Sequence, residues 1–171
     1  MKKLTLLNIA LLPFLGVTQS LGGLLDNSSR AGKWEGYATG QVVVGPFYSA
    51  ATAGVGLGYN IYDQLNVNGD LQGGEADALF YGSEPVVVGH LGIDYNIFKT
   101  KLTPFVTVGA GLGDVFNSGA WYYLDAGLGL RWDINDRWFT KLAVQPALLM
   151  HSGSKGALGA AMGGLCIGVK F

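Results

Sequence analysis

The chain has 171 residues, enough for one domain, and it is 49% hydrophobic but only 13% charged, about half the charge of an ordinary soluble domain. A net charge of −1 excludes the basic stripe of a nucleic-acid binder. A single cysteine (Cys166) and two histidines (His90 and His151) exclude an internal disulfide and make a structural zinc site untenable, so neither metal nor cofactor is expected.

Residues 1–20 read as a secretory signal. Lys2 and Lys3 form the charged start, Leu4 to Val17 the apolar stretch, and Thr18 and Ser20 place small residues for a cut after Ser20. The apolar stretch is shorter than the roughly 20 residues a helical membrane span needs. Cleavage leaves 9 basic against 12 acidic residues, a charge of −3. Residues 21–33 are expected to be an N-terminal periplasmic segment, and 34–171 the folded domain.

From residue 34 onward the dominant signal is alternation with period two, the mark of half-buried strands. Eight strands are expected, at roughly 34–45, 51–61, 64–73, 86–97, 102–113, 121–133, 137–150 and 157–171. The first alternates least clearly. Three hairpin turns share a pattern: Tyr59-Asn60-Ile61, Tyr95-Asn96-Ile97 and Trp132-Asp133-Ile134 each precede a short polar turn and a new apolar run. In the sixth strand Tyr122, Leu124, Ala126, Leu128, Leu130 and Trp132 share one face. Trp121, Tyr123, Asp125, Gly127, Gly129, Arg131 and Asp133 share the other.

One face of the sheet is therefore crowded and apolar, while the other mixes charges with many of the 28 glycines. An eight-stranded barrel is barely wide enough inside for ordinary side chains. It could not hold Trp132, Trp138, Tyr95, Tyr59, Phe171 and most of the Leu and Val. Turned outward, the apolar face meets lipid, the closed sheet satisfies the backbone, and those strand-end aromatics form an interfacial girdle. The expected fold is all-β: an eight-stranded, up-and-down antiparallel transmembrane β-barrel.

The signal peptide, the segments GVGLGYNIYDQLNV, PFVTVGAGLG and AGLGLRWDINDRW, and the final CIGVKF together resemble the small bacterial outer-membrane β-barrel proteins, of the OmpA transmembrane-barrel type. The resemblance covers about 34–171 and implies a Gram-negative outer-membrane location and contact with outer-membrane lipid. It also implies that the C-terminal Phe171, with Val169 and Ile167, is the signal read by the barrel-assembly machinery.

Candidate functional residues follow from the faces. Asp70, His90, Asp94, Asp125, Arg131, Lys141 and Gln145 are expected in the lumen as a salt-bridge network that plugs the barrel; a narrow pore is the alternative use of the same charges. The G-x-G-x-G runs at Gly54/Gly56/Gly58 and Gly109/Gly111/Gly113 lie inside strands and lack the following helix of a nucleotide loop. His151 with Ser152 and Ser154 resembles the His-x-Ser-Asn signature of outer-membrane lipid A deacylases. Gly153 stands in place of the nucleophile, however, and residues 155–171 contain no carboxylate to orient the imidazole. Among the outer loops, at about 46–50, 74–85, 114–120 and 151–156, only 74–85 is long enough to be expected to meet a partner. A structural or surface-interaction role for a plugged barrel is the leading expectation.

Overall fold

The computed structural model describes residues 21–78, 82–115, 120–152 and 156–171. The signal at 1–20, the Leu79-Phe80-Tyr81 tip and Ser154 lie outside these residues. A four-residue helical turn, α1 (Leu21–Leu24), precedes eight strands: β1 (Trp34–Val44), β2 (Tyr48–Asn60), β3 (Leu65–Ala78), β4 (Gly82–Asn96), β5 (Leu102–Val115), β6 (Ala120–Asp133), β7 (Trp138–His151) and β8 (Ala157–Lys170). Every strand pairs antiparallel with its chain neighbours, and β1 closes on β8 from Glu35↔Lys170 to Val44↔Ala161. Beyond that ladder, the Trp34 and Phe171 backbones exchange two hydrogen bonds of 2.9 Å. Closure leaves no free sheet edge, which is the condition for a sheet surrounded by hydrocarbon.

Burial follows the alternation. Along β6 the outward Tyr122, Leu124, Leu128 and Leu130 are exposed, whereas Tyr123, Asp125, Arg131 and Asp133 are buried. Leu91 on β4 is 72% exposed while Arg131 is 0% exposed. The barrel is thus inside-out relative to a soluble protein. The ten residue steps from Tyr122 to Trp132 span about 33 Å of strand. At a tilt of about 40° that gives an apolar band about 25 Å tall, the height such barrels present to lipid. Exposed aromatics crowd the end that carries the chain termini: Trp34, Tyr59, Tyr95, Trp138 and Phe171, with the Trp34 and Tyr59 rings 5.0 Å apart.

Two expectations about the loops need correction. The segment 74–85 is mostly strand: β3 runs to Ala78 and β4 begins at Gly82, with Glu75 opposite Pro85 and Asp77 opposite Ser83. The outward Glu75 and Asp77 look like loop residues in sequence, but the hairpin continues beyond the apolar band, where an outward charge meets water. Similarly, β2 starts at Tyr48, shortening the first loop. One irregularity remains in the wall. The β6–β7 ladder passes from Asp125↔Ala147 to Leu128↔Val144, interrupted opposite Gln145 and Pro146, and Pro146 has no N–H to give.

Candidate functional site

The lumen is built in three layers. Nearest the termini is a buried ionic layer contributed by seven strands and the N-terminal segment. Glu35 of β1 sits at its centre, with Arg131 Nη2 at 2.5 Å and Lys141 Nζ at 3.5 Å. The side-chain amides of Asn60 and Asn66 also donate to Glu35, at 2.9 and 3.4 Å. Arg131 Nε and Nη2 both reach Asp133 Oδ1, at 3.0 and 2.9 Å. Lys170 Nζ approaches that same oxygen at 3.2 Å, and Lys141 pairs with Asp94 at 2.8 Å. The Arg131 guanidinium also lies 4.6 Å from the centre of the Phe139 ring. Charges this deeply buried persist only when paired and hydrogen-bonded.

Arg30 completes this layer from outside the sheet. Its side chain is fully buried, with Nε 2.6 Å from Asp133 Oδ2. Its Nη1 donates to the carbonyl of Asp63, and its Nη2 to that of Thr100. Ser28 Oγ adds a 2.6 Å bond to Asp133. The backbone amides of Arg30 and Ala31 donate to Asp63 Oδ1 at 2.9 and 3.0 Å. Those amides, Ala31's first, hold the Asp63 carboxyl below the usual carboxylate range. Residues 26–33 thus cross the barrel mouth and tie the β2–β3 and β4–β5 turns to the end of β6.

Above lies a smaller polar layer. His90 faces two carboxylates, with Nε2 3.1 Å from Asp125 and Nδ1 3.4 Å from Asp70. Gln145 donates to Asp125 at 3.0 Å and Gln72 to Asp70 at 2.7 Å. Because a neutral imidazole has one N–H, only the imidazolium gives both carboxylates a donor. With His90 so charged, Asp70, Asp125, Glu35, Asp94 and Asp133 balance His90, Arg30, Arg131, Lys141 and Lys170. Both ring nitrogens are committed to carboxylates. A polar cavity of about 90 Å³ between the layers is lined by Tyr37, Asp70, His90, Asp94 and Lys141 among others, room for a few waters at about 10–15 Å³ each.

Four of the inward glycines are slots for aromatic rings. Tyr37 pairs with Gly56, Phe105 with Gly129, Tyr123 with Gly111, and Phe139 with Gly168. A Cβ on any of these glycines would come within 2.1–2.7 Å of the partner ring. This cross-strand pairing fills a lumen that has no room for two large side chains side by side. Toward the loop end, the third layer is apolar: Tyr123, Ala147 and Met162 pack with Val43, Val88, Leu149 and Ala160.

The structure thus places all seven expected lumen residues on the inner face: Arg131, Lys141 and Asp94 in the ionic layer, and Asp70, His90, Asp125 and Gln145 above it. Sequence reasoning left Arg30, Glu35 and Lys170 out of the network, and it put Asp133 on the inner face without assigning it to the network. His151 ends β7 at the opposite mouth, partly buried, its ring 5.0 Å from that of Trp121. Ser152 is exposed, its N–H bonded to the Ala120 carbonyl. Phe171 is 69% exposed at the β1–β8 seam. Among the described residues, no cluster of His, Cys, Asp and Glu is arranged to hold a metal.

No protein-family model matches the chain, and no curated protein matches it in sequence. Solved structures do match its fold. The N-terminal β-barrel domain of Pseudomonas aeruginosa OprF superposes with a TM-score of 0.62 at 21% identity, over 82% of this chain and 98% of that one. Neisserial surface protein A gives 0.61 at 12% identity, over 81% and 96%. The outer membrane protein OprG of Pseudomonas aeruginosa gives 0.52 at 13%, over 84% and 98%. At these identities the likeness is one of fold: the chain is a closed eight-stranded barrel of the kind these proteins form.

Proposed function

We propose that the chain is an integral protein of the bacterial outer membrane, of the small OmpA-like barrel type, with its termini in the periplasm and its lumen plugged. Its role is structural or surface-interacting, and no reaction is assigned to His151, Ser152 or Ser154. The observation that carries the plug is the Arg30–Asp133–Arg131–Glu35–Lys141–Asp94 chain of contacts, which joins opposite walls of the barrel across its width. A water-filled channel normally takes 16–18 strands. Outer-membrane residence is supported by the apolar outer band, the aromatic girdle and the neighbours of the same fold. Phe171 is proposed as the recognition point for barrel assembly, since its exposed ring marks the seam where the last strand must close on the first.

Cell fractionation with gel mobility tests this reading. The mature chain should be recovered with outer membranes and migrate faster in SDS unheated than boiled, as a closed barrel does. Recovery as a soluble periplasmic monomer without detergent contradicts it.

A further inference from the structure

An open hollow of about 870 Å³ lies on the outer wall at the loop end of the apolar band, against about 90 Å³ for the polar cavity inside the lumen. At its centre Gly89 of β4 stands between Leu71 of β3 and Leu112 of β5, and Ala110 stands opposite Leu91. No packing within the chain requires that glycine. A Cβ there would meet nothing nearer than the Leu112 carbonyl oxygen, at 3.9 Å, whereas one on any of the four inward slots would strike a ring. Gly89 and Ala110 thus leave a groove walled by leucines on the face that meets hydrocarbon. Two carboxylates stand over it. Asp114 is directly opposite Val87, two residues nearer the loops than Gly89, and Glu75 is opposite Pro85, two residues further still. Two residues of strand are about 7 Å, so both acids lie at the upper edge of the band, and both are exposed. Among the described residues, no lysine or arginine lies at this end of the barrel to face them. A lipid head that carries only phosphate meets like charge here, whereas an ammonium meets acceptors.

We propose that this groove is a binding site for one aminophospholipid of the surrounding bilayer, its acyl chain lying over Gly89 and Ala110 and its primary ammonium facing Asp114 and Glu75. The chain is held by shape, because it enters a hollow that the leucine-covered wall on either side does not offer. The ammonium brings three donors and sets the preference against unmodified lipid A and phosphatidylglycerol, whose heads carry no cation. The inference rests on the outer wall meeting lipid, which insertion into vesicles and unheated gel mobility test separately.

The test folds the mature chain in vesicles of equal parts phosphatidylethanolamine and phosphatidylglycerol with the same acyl chains, transfers it to mild detergent and weighs it by native mass spectrometry. The wild type should keep one lipid, with phosphatidylethanolamine preferred about two- to fivefold, the worth of an exposed ion pair. Gly89→Leu and Ala110→Leu each fill the groove with a side chain suited to a lipid-facing wall, and each should remove the retained lipid. Glu75→Gln with Asp114→Asn should keep a lipid but bring the two headgroups to parity. With lipid A in place of phosphatidylglycerol, phosphatidylethanolamine should remain the retained species. Unheated gel mobility shows that each variant folds. A chain that stays outside the vesicles refutes the lipid-facing wall itself. A folded wild type that keeps no lipid, or folded filling variants that keep as much, overturns the groove. Parity of headgroups in the wild type, a preference unchanged in the double variant, or lipid A retained instead, overturns the role given to the carboxylates.

Discussion

Replacing Glu35 by glutamine removes one charge from the centre of the lumen and almost nothing of its shape. Glu35 accepts from Arg131 at 2.5 Å and faces Lys141 at 3.5 Å, and all three side chains are nearly or fully buried. A charge-assisted hydrogen bond contributes about 1.5–3 kcal/mol, and breaking a buried ion pair from one side costs about 3–5 kcal/mol. Arg131 keeps Asp133 and Lys141 keeps Asp94, which puts the expected loss at the lower end, about 3 kcal/mol. Adding Arg131→Met should cost less than the sum of the two single changes, because each single change already removes the Glu35–Arg131 contact; coupling of about 0.5–3 kcal/mol is the usual range for such neighbours. Urea unfolding in lipid vesicles, read by unheated gel mobility and tryptophan fluorescence, supplies all four corners of the cycle. A Glu35→Gln loss under about 1 kcal/mol, or costs that simply add, would show that the network is incidental to stability.

Other consequences follow from the same geometry. Leu128 is 68% exposed near mid-strand, so Leu128→Arg should cost about 2–4 kcal/mol in the vesicle assay; tolerance there would mean this face does not meet lipid. Gly56→Val drives a side chain into the Tyr37 ring and should cost about 1–3 kcal/mol, with part recovered by adding Tyr37→Leu; no recovery would refute the slot reading. The amides of Ala31 and Arg30 hold the Asp63 carboxyl low. Its contribution to anchoring the N-terminal segment is therefore full above the unfolded carboxylate value, about 3.9, and is lost as pH falls through the lower folded value. NMR titration should place the Asp63 midpoint below the ordinary one, with the Ala31 amide moving in step, and an ordinary or raised midpoint would refute the anchor.

The barrel was legible in the sequence because both of its faces leave a period-two trace, and strands such as β6 and β7 could be divided residue by residue. The ionic layer was only half legible. Arg131, Lys141 and Asp94 lie well inside clear strands, but Glu35 sits in β1, whose outer face carries Gly36, Ala38 and Gly40 and so shows little hydrophobic contrast. Asp133 and Lys170 fall at strand ends beside turns, where a charge is usually solvated. Arg30 lies before the first strand and reaches Asp133 across 103 residues, a contact no local pattern encodes. Likewise, composition hints that inward glycines ease packing, but pairing Tyr37 with Gly56 or Phe105 with Gly129 requires the register of neighbouring strands. The 74–85 segment was misread because loop and strand look alike once a hairpin rises past the apolar band.

Closure of the lumen is the claim on which the account turns, and ion conductance of the mature chain in planar lipid bilayers tests it most directly. Arg30 and Arg131 with Glu35 and Asp133 span the barrel mouth, and the paired aromatics fill the space above, so the wild type should insert without adding steady current over the bare membrane. Discrete, reproducible conductance steps from the folded wild-type barrel would contradict a plugged lumen and turn the same charges into the lining of a pore.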